Sequence, residues 1–354
     1  MTVRLLSGRM RSVRLIFGGG GFCGRKEGRK QFFFEKKNQK TFESWAEPLR
    51  RVSAKHVKVF CFFFSKKKYF LPWSSPSMKF ATFSIAGTPT WGIIEGETAV
   101  DLGGQFADLK SCIAAGALNA PVHGAERHGL ADISWVPVIP NPEKILCVGL
   151  NYEMHRQETG RDVVAHPTIF ARFASSQTGH LAPLVRPRVS TELDFEGELA
   201  LIIGKPGRYI KPEAAFDHIA GYACYNDGSV RDWQRHTHQF IPGKNFPGTG
   251  AFGPWMVTPD EIADLDGLRL QTRVNGAVVQ EARLGQMIFD IPTIIAYCSS
   301  FTRLEPGDVI ATGTPGGVGA KRKPPLWLKS GDVVEVEIDE VGLLRNIVAD
   351  ESLG

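Results

Sequence analysis

The stretch DFEGELALIIGK, residues 194–205, places Glu196 and Glu198 directly before an apolar run from Leu199 to Ile203. Side chains alternate across a strand, so positions i and i+2 share a face and the two carboxylates point the same way. Burying two like charges together is costly unless something pairs with them. One solution is water on a one-sided sheet; another is a cation held between them. Further on, YACYND is a second apolar strand, and it ends at Asp227. Three carboxylates plus water suit Mg2+, Mn2+ or Ca2+, because oxygen donors are hard and no His or Cys accompanies them. Asp227 taken alone also fits a turn, since NDG is a turn signature.

Four further stretches carry reactive side chains. In GSVRDWQ, Arg231 and Gln234 stand three apart, on one face of a helical turn, and arginine offers a two-pronged fork to a carboxylate. Lys244 lies in FIPGKNFPGTGAFGPW, a Gly- and Pro-dense loop from which an ammonium can reach a bound anion. TGTPGGVG, residues 312–319, is a small-residue loop whose amides and Thr314 hydroxyl can meet a carboxylate, or which simply turns the chain between strands. His155 and Glu158 in NYEMHRQETG are three apart on a short helix closed by Gly160. A carboxylate beside an imidazole orients it and raises its basicity, which makes a general base; the plainer reading is two polar neighbours on a surface helix.

The elements that must position these groups are mostly strands. From Met78 onward, KFATFSIAG, TWGIIEG and TAVDLGG read as short strands of a small antiparallel sheet. KILCVGL is a strand ending at Asn151, and DLKSCIAAGA and IPTIIAYCSSFTRL are helices. LRLQTRVNGAVVQEAR is a hairpin turning at Asn275-Gly276, and GDVIATGTPGG and GDVVEVEIDEVGLLRNIV supply more strands. Many short strands with few helices predict a β-rich α+β fold, barrel-like or a rolled sheet. No dinucleotide fingerprint, phosphate loop, heptad pattern or internal repeat is present.

Composition limits the function further. Hydrophobic residues make up 43% and charged residues 22% of the 354, as in ordinary globular chains. No apolar run is long enough to span a membrane. The six cysteines show no CxxC or zinc spacing, which predicts free thiols in a reducing, cytoplasmic setting. Charge is lopsided: residues 1–77 hold 18 Lys+Arg against 4 Asp+Glu, while the remainder holds 24 against 33. The first segment mixes GGGG, two FFF triplets and KKK without a regular period. It can be read as an inert, unstructured extension ahead of a natural start at Met78, as a targeting peptide with early arginines at 4, 9, 11 and 14, or as a nucleic-acid-binding arm. The acidic remainder would repel phosphate, so no nucleic acid is expected as a partner.

In the order KILCVGLNYEMH, DFEGELALIIG, GYACYNDGSVRDWQ, GKNFPGTGAFGPW, LEPGDVIATGTPGGVG, the chain resembles the fumarylacetoacetate hydrolase family, strongly over 144–335 and more loosely from 78 to the C-terminus. The resemblance implies a rolled mixed β-sheet catalytic part over 141–354, a small N-terminal β subdomain over 78–140, and a homodimer. It implies Mg2+ or Mn2+ on Glu196, Glu198 and Asp227, a catalytic His155–Glu158 pair assisted by Lys244, and substrate contacts from Arg231, Gln234 and Thr314. The implied activity is hydrolysis of a C–C bond in a 2-oxo or 1,3-dioxo carboxylic acid, an acylpyruvate or fumarylpyruvate, as in aromatic compound catabolism. Isomerase, decarboxylase, hydratase and ureidoglycolate lyase chemistry are the alternatives within the family. Two departures stand out: EGE, where a bulky residue often separates the glutamates, and YNDGS in place of an NDVS-type sequence. Both spare the expected ligands, so they are expected to shape the substrate pocket.

Overall fold

A twelve-stranded mixed sheet and a five-stranded sheet carry most of the computed structural model, which describes residues 78–122 and 124–352, plus five short strands between Thr2 and Phe33 that pair with one another. The reading of residues 1–77 as an unstructured extension otherwise lies outside the described residues. The large sheet runs, in spatial order, through Thr168–Arg172, Ile145–Gly149, Val309–Ala311, Gly197–Ile203, Ile219–Asn226, Gly250–Val257, Lys79–Ile85, Thr88–Glu95, Thr98–Asp101 and Arg127–Gly129, with Ile133–Trp135 and Gln177–Thr178 attached at its side. Most pairings are antiparallel, but Ile145–Gly149 runs parallel to Val309–Ala311, so the sheet is mixed as predicted. It does not close into a barrel. The N-terminal strands pair antiparallel, as expected, and the sheet continues across residue 140, because Phe80 and Lys79 pair with Met256 and Val257.

The strand Gly197–Ile203 is buried along its whole length, which explains its unbroken apolar run. Leu199, Leu201 and Ile203 face a core shared with Leu270, Val336 and Leu344 of the five-stranded sheet. Ala200 and Ile202 face a second core with Tyr225, Phe252 and Ala311. Each large side chain buried there contributes about 1.5–3 kcal/mol, which offsets the several kcal/mol that a buried ion costs. The five-stranded sheet is built on the predicted hairpin: Asn275 and Gly276 have φ of 52° and 79°, the paired positive values a type I′ turn requires.

The two glycine departures turn out to be packing requirements and not features of the substrate pocket. Gly197 points away from the carboxylates, and a Cβ there would lie 2.0 Å from Thr272 Oγ1 and 3.3 Å from Val336. A Cβ on Gly228 would lie 2.0 Å from the Thr249 carbonyl oxygen. Gly197→Ala is therefore expected to destabilise the fold by about 1–3 kcal/mol through overpacking. Denaturant unfolding checks this, and adding Thr272→Ala should restore part of the loss. A loss of turnover at unchanged stability would return Gly197 to the substrate pocket.

Candidate active site

Strand ends assemble the acidic set. Gly197 pairs with Asn226 across the antiparallel ladder, so Glu196 and Asp227 are neighbours where the two strands part, and Asp227 N donates to Glu196 O at 2.8 Å. Asn226 Oδ1 accepts from Glu196 N at 2.9 Å and fixes the first residue of the pair. Glu196, Glu198 and Asp227 are all buried, and one oxygen from each lies within 4.8 Å of the other two. The donors are three carboxylates with no nitrogen or sulfur among them, which fits a hard divalent cation such as Mg2+ or Mn2+.

Protein cations also reach this set, so the glutamates have partners within the chain besides any ion held between them. Lys244, 1% exposed, places Nζ 2.6 Å from Glu196 Oε2 and 2.5 Å from Asp227 Oδ2. Arg231 Nη2 lies 2.6 Å from Glu196 Oε1, while its Nε donates to Asp194 at 2.8 Å. Arg172 donates to Asp227 Oδ1 at 2.7 Å, to Gly228 O and to Thr249 Oγ1. Burial alone would raise the Glu196 carboxyl, but Arg231 and Lys244 outweigh it and hold Glu196 well below the usual carboxylate range. Glu198 behaves oppositely: burial and the neighbouring Asp227 and Glu196 push it well above that range, and the Gly313 amide, donating at 2.8 Å, compensates only in part. Burial pulls the Lys244 ammonium down, yet Asp227 and Glu196 raise it above its ordinary value, so it is charged.

The predicted His155–Glu158 pair forms on the helix Glu153–Thr159, which ends at Gly160 in the left-handed region with φ of 67°. His155 Nδ1 is 2.7 Å from Glu158 Oε1, and Glu158 Oε2 accepts from Gly317 N at 2.9 Å. The helix is thereby docked on the TGTPGGVG loop. Asn151, fully buried, locks its entry by donating to Thr312 O and Phe289 O and accepting from Phe289 N. Arg231 and Gln234 occupy one helical turn as predicted, with Arg231 Nη1 donating to Gln234 Oε1 at 3.0 Å.

One cavity of about 530 Å³ is lined by His155, Glu196, Glu198, Asp227, Arg231, Gln234, Lys244 and Thr314 together. Glu158 stands behind His155, outside the lining. The Thr314 hydroxyl is engaged within the protein: it donates to Gly197 O at 3.0 Å and accepts from Gln280 Nε2 at 2.8 Å. Gln280 also accepts from Gly197 N, so it ties the ligand strand to the Thr314 loop.

Three supporting residues are absent from the set expected from sequence. Asp194 continues the 194, 196, 198 alternation on the same face, and that period was the available signal. It accepts from Gly319 N, Ala320 N and Arg231, anchoring the loop and the guanidinium at once. Arg172 ends an apolar strand, the same local signal that marks Asp227. Gln280 gave no local signal, because its partners are distant in sequence.

Residues 144–349 match the family described as Fumarylacetoacetate (FAA) hydrolase C-terminal. The chain is 47% identical over 220 residues to the Xenopus laevis protein named oxaloacetate tautomerase fahd2, mitochondrial, covering 62% of this chain and 69% of that one. Among solved structures, a fumarylacetoacetate hydrolase from psychrophilic Exiguobacterium antarcticum superimposes with a TM-score of 0.70 at 36% identity, over 78% of this chain and all (100%) of that one. A maleylpyruvate hydrolase from Sphingobium sp. SYK-6, solved with manganese(II) and pyruvate, gives 0.65 at 30% identity, over 78% and 100%.

Proposed function

Because the chain belongs to the fumarylacetoacetate hydrolase family, we propose that it is a divalent-metal-dependent enzyme interconverting the enol and keto forms of a short 2-oxo acid, oxaloacetate foremost. The observation that carries this reading is the oriented His155–Glu158 pair on the same cavity as the three carboxylates. A Mg2+ or Mn2+ ion on Glu196, Glu198 and Asp227 would supply a Lewis acid for a carboxylate oxygen and the adjacent oxo oxygen of the substrate. The chain's own residues do the rest. Glu158 accepts from His155 Nδ1, leaving the lone pair on Nε2. Nε2 removes the proton from the enol hydroxyl, and a proton is returned to carbon 3, so the substrate's composition is unchanged. Lys244 and Arg231, both buried, supply positive charge where the oxygen becomes anionic. Gln234, held by Arg231, offers its amide to the substrate carboxylate.

The name of the frog relative supports tautomerisation over the C–C hydrolysis first expected. Its mitochondrial label also suits the early arginines better than a cytoplasmic address does. The second reading, hydrolysis, is favoured by the maleylpyruvate hydrolase likeness and needs the same base to deprotonate water. The test uses purified full chain with Mg2+ or Mn2+, enol-form oxaloacetate and a panel of acylpyruvates. Ketonisation should accelerate and cease on chelation. Metal-independent acceleration would defeat the proposal, and pyruvate release from acylpyruvates without ketonisation would install hydrolysis in its place.

A further inference from the structure

Part of the cavity wall is apolar. Val148, Leu150, Phe170, Phe240 and Val318 line the same space as the carboxylates. Val148 and Val318 are buried, whereas Leu150, Phe170 and Phe240 are half-buried and still show surface. The two rings come from separate elements. Phe170 lies on the strand Thr168–Arg172, two residues before Arg172 and so on the same face. Phe240 caps the turn Ile241–Lys244 that carries Lys244. The rings meet edge to face, with centroids 5.6 Å apart and planes at 74°. They do so beside Gly149, where a Cβ would lie 3.7 Å from Phe240 Cε2 and 3.8 Å from Phe170 Cε1. Lys244 Nζ is 5.0 Å from the centre of the Phe170 ring, so the apolar wall begins next to the acidic set.

Rings beside a cavity are ordinarily the edge of a core. Leu150 is not explained that way. Its φ of 60° lies in the left-handed region, which glycine and asparagine enter easily and a branched apolar residue enters under strain. Asn151, locked to Thr312 and Phe289, fixes the chain immediately after it. Glycine would meet the needs of that turn; what leucine adds is apolar surface in the cavity. Size points the same way. The cavity, about 530 Å³, falls in the range of about 300–1,000 Å³ that suits drug-sized ligands and exceeds what a four-carbon acid fills. The carboxylate and oxo group of a 2-oxo acid would be engaged at the acidic end, which leaves the substituent on carbon 3 to meet the rest of the wall. We infer that Leu150, Phe170 and Phe240 form an apolar subsite for that substituent. The chain then also takes 2-oxo monocarboxylic acids with an aryl or branched alkyl group on carbon 3, and ketonisation of enol phenylpyruvate is a further activity. This rests on the tautomerase reading for the reaction. The step is the same: the enol O–H proton leaves to His155, a proton is returned to carbon 3, and no atom is gained or lost.

The experiment measures binding of pyruvate, phenylpyruvate and oxalate to the Mn2+-loaded full chain by calorimetry. Pyruvate and phenylpyruvate differ only in the phenyl group on carbon 3; oxalate has no carbon 3 and controls for damage at the acidic end. The wild type should bind phenylpyruvate about thirtyfold more tightly than pyruvate. Phe240→Ala should cut that preference to about threefold, and Phe240→Leu should keep most of it. Leu150→Asn suits the left-handed backbone, so it should cut the preference to about tenfold or less without lowering the thermal transition. A wild type without preference, or a preference that survives both Phe240→Ala and Leu150→Asn, overturns the subsite. So does oxalate weakening in step with phenylpyruvate. Ketonisation of enol phenylpyruvate and enol oxaloacetate is followed alongside. Preference with neither enol ketonised removes the tautomerase reading and leaves the subsite; oxaloacetate ketonised without preference does the reverse. Preference with oxaloacetate alone ketonised overturns the further activity.

Discussion

Glu196→Gln and Asp227→Asn are each expected to weaken divalent-metal binding by at least about a hundredfold and to abolish turnover with it. Each variant removes the negative charge and one oxygen from one of the three buried carboxylates. Amides are the informative replacements. Alanine at 196 would strip Arg231 and Lys244 of a shared carboxylate, and alanine at 227 would do so to Arg172 and Lys244. Breaking buried pairs in that way costs about 3–5 kcal/mol and confuses lost metal with lost fold. The amides keep the volume and one oxygen. Calorimetric metal titration beside a turnover assay decides the matter. Full activity of either variant in chelator-treated protein would show that the three carboxylates are not the seat of a required metal.

His155→Ala separates the base from the metal. Turnover is expected to fall by about a hundredfold to ten-thousandfold, with metal affinity unchanged, because the imidazole is not among the clustered oxygen donors. Glu158→Gln should give a smaller loss, since glutamine still accepts from Nδ1 but lacks the charge that stabilises an imidazolium. Its effect on folding is controlled by the thermal transition, because Glu158 also receives the Gly317 amide. A His155→Ala enzyme that turns over normally would transfer the proton chemistry to another group.

The sequence showed most of the site's reactive side chains and few of their supports. Glu196, Glu198 and Asp227 were legible because strand alternation and an acid at a strand end are local patterns. His155 and Glu158 were legible through helical spacing, as were Arg231 and Gln234. The fold class was legible in the density of short strands and in Asn275-Gly276. What was hidden depended on contacts distant in sequence. Gly197 looked like a substrate determinant, yet its neighbour is Thr272, on a strand of the other sheet. Thr314 looked like a donor to substrate, yet Gln280 and Gly197 already engage it. The small sheet expected over residues 78–140 did form strands, but edge pairing with Met256 and Val257 made them part of a larger whole.

Lys244 has a consequence for how the acidic set tolerates its burial. Its ammonium bridges Glu196 and Asp227, two of the three groups a divalent ion would take. Those two carboxylates therefore carry a protein countercharge of their own where the strands part, and a divalent ion is not the sole source of positive charge beside them. Glu198 makes no ion pair among the described residues, and burial with two acidic neighbours pushes its carboxyl up, so it is the member of the set whose ionised form a divalent ion would relieve most.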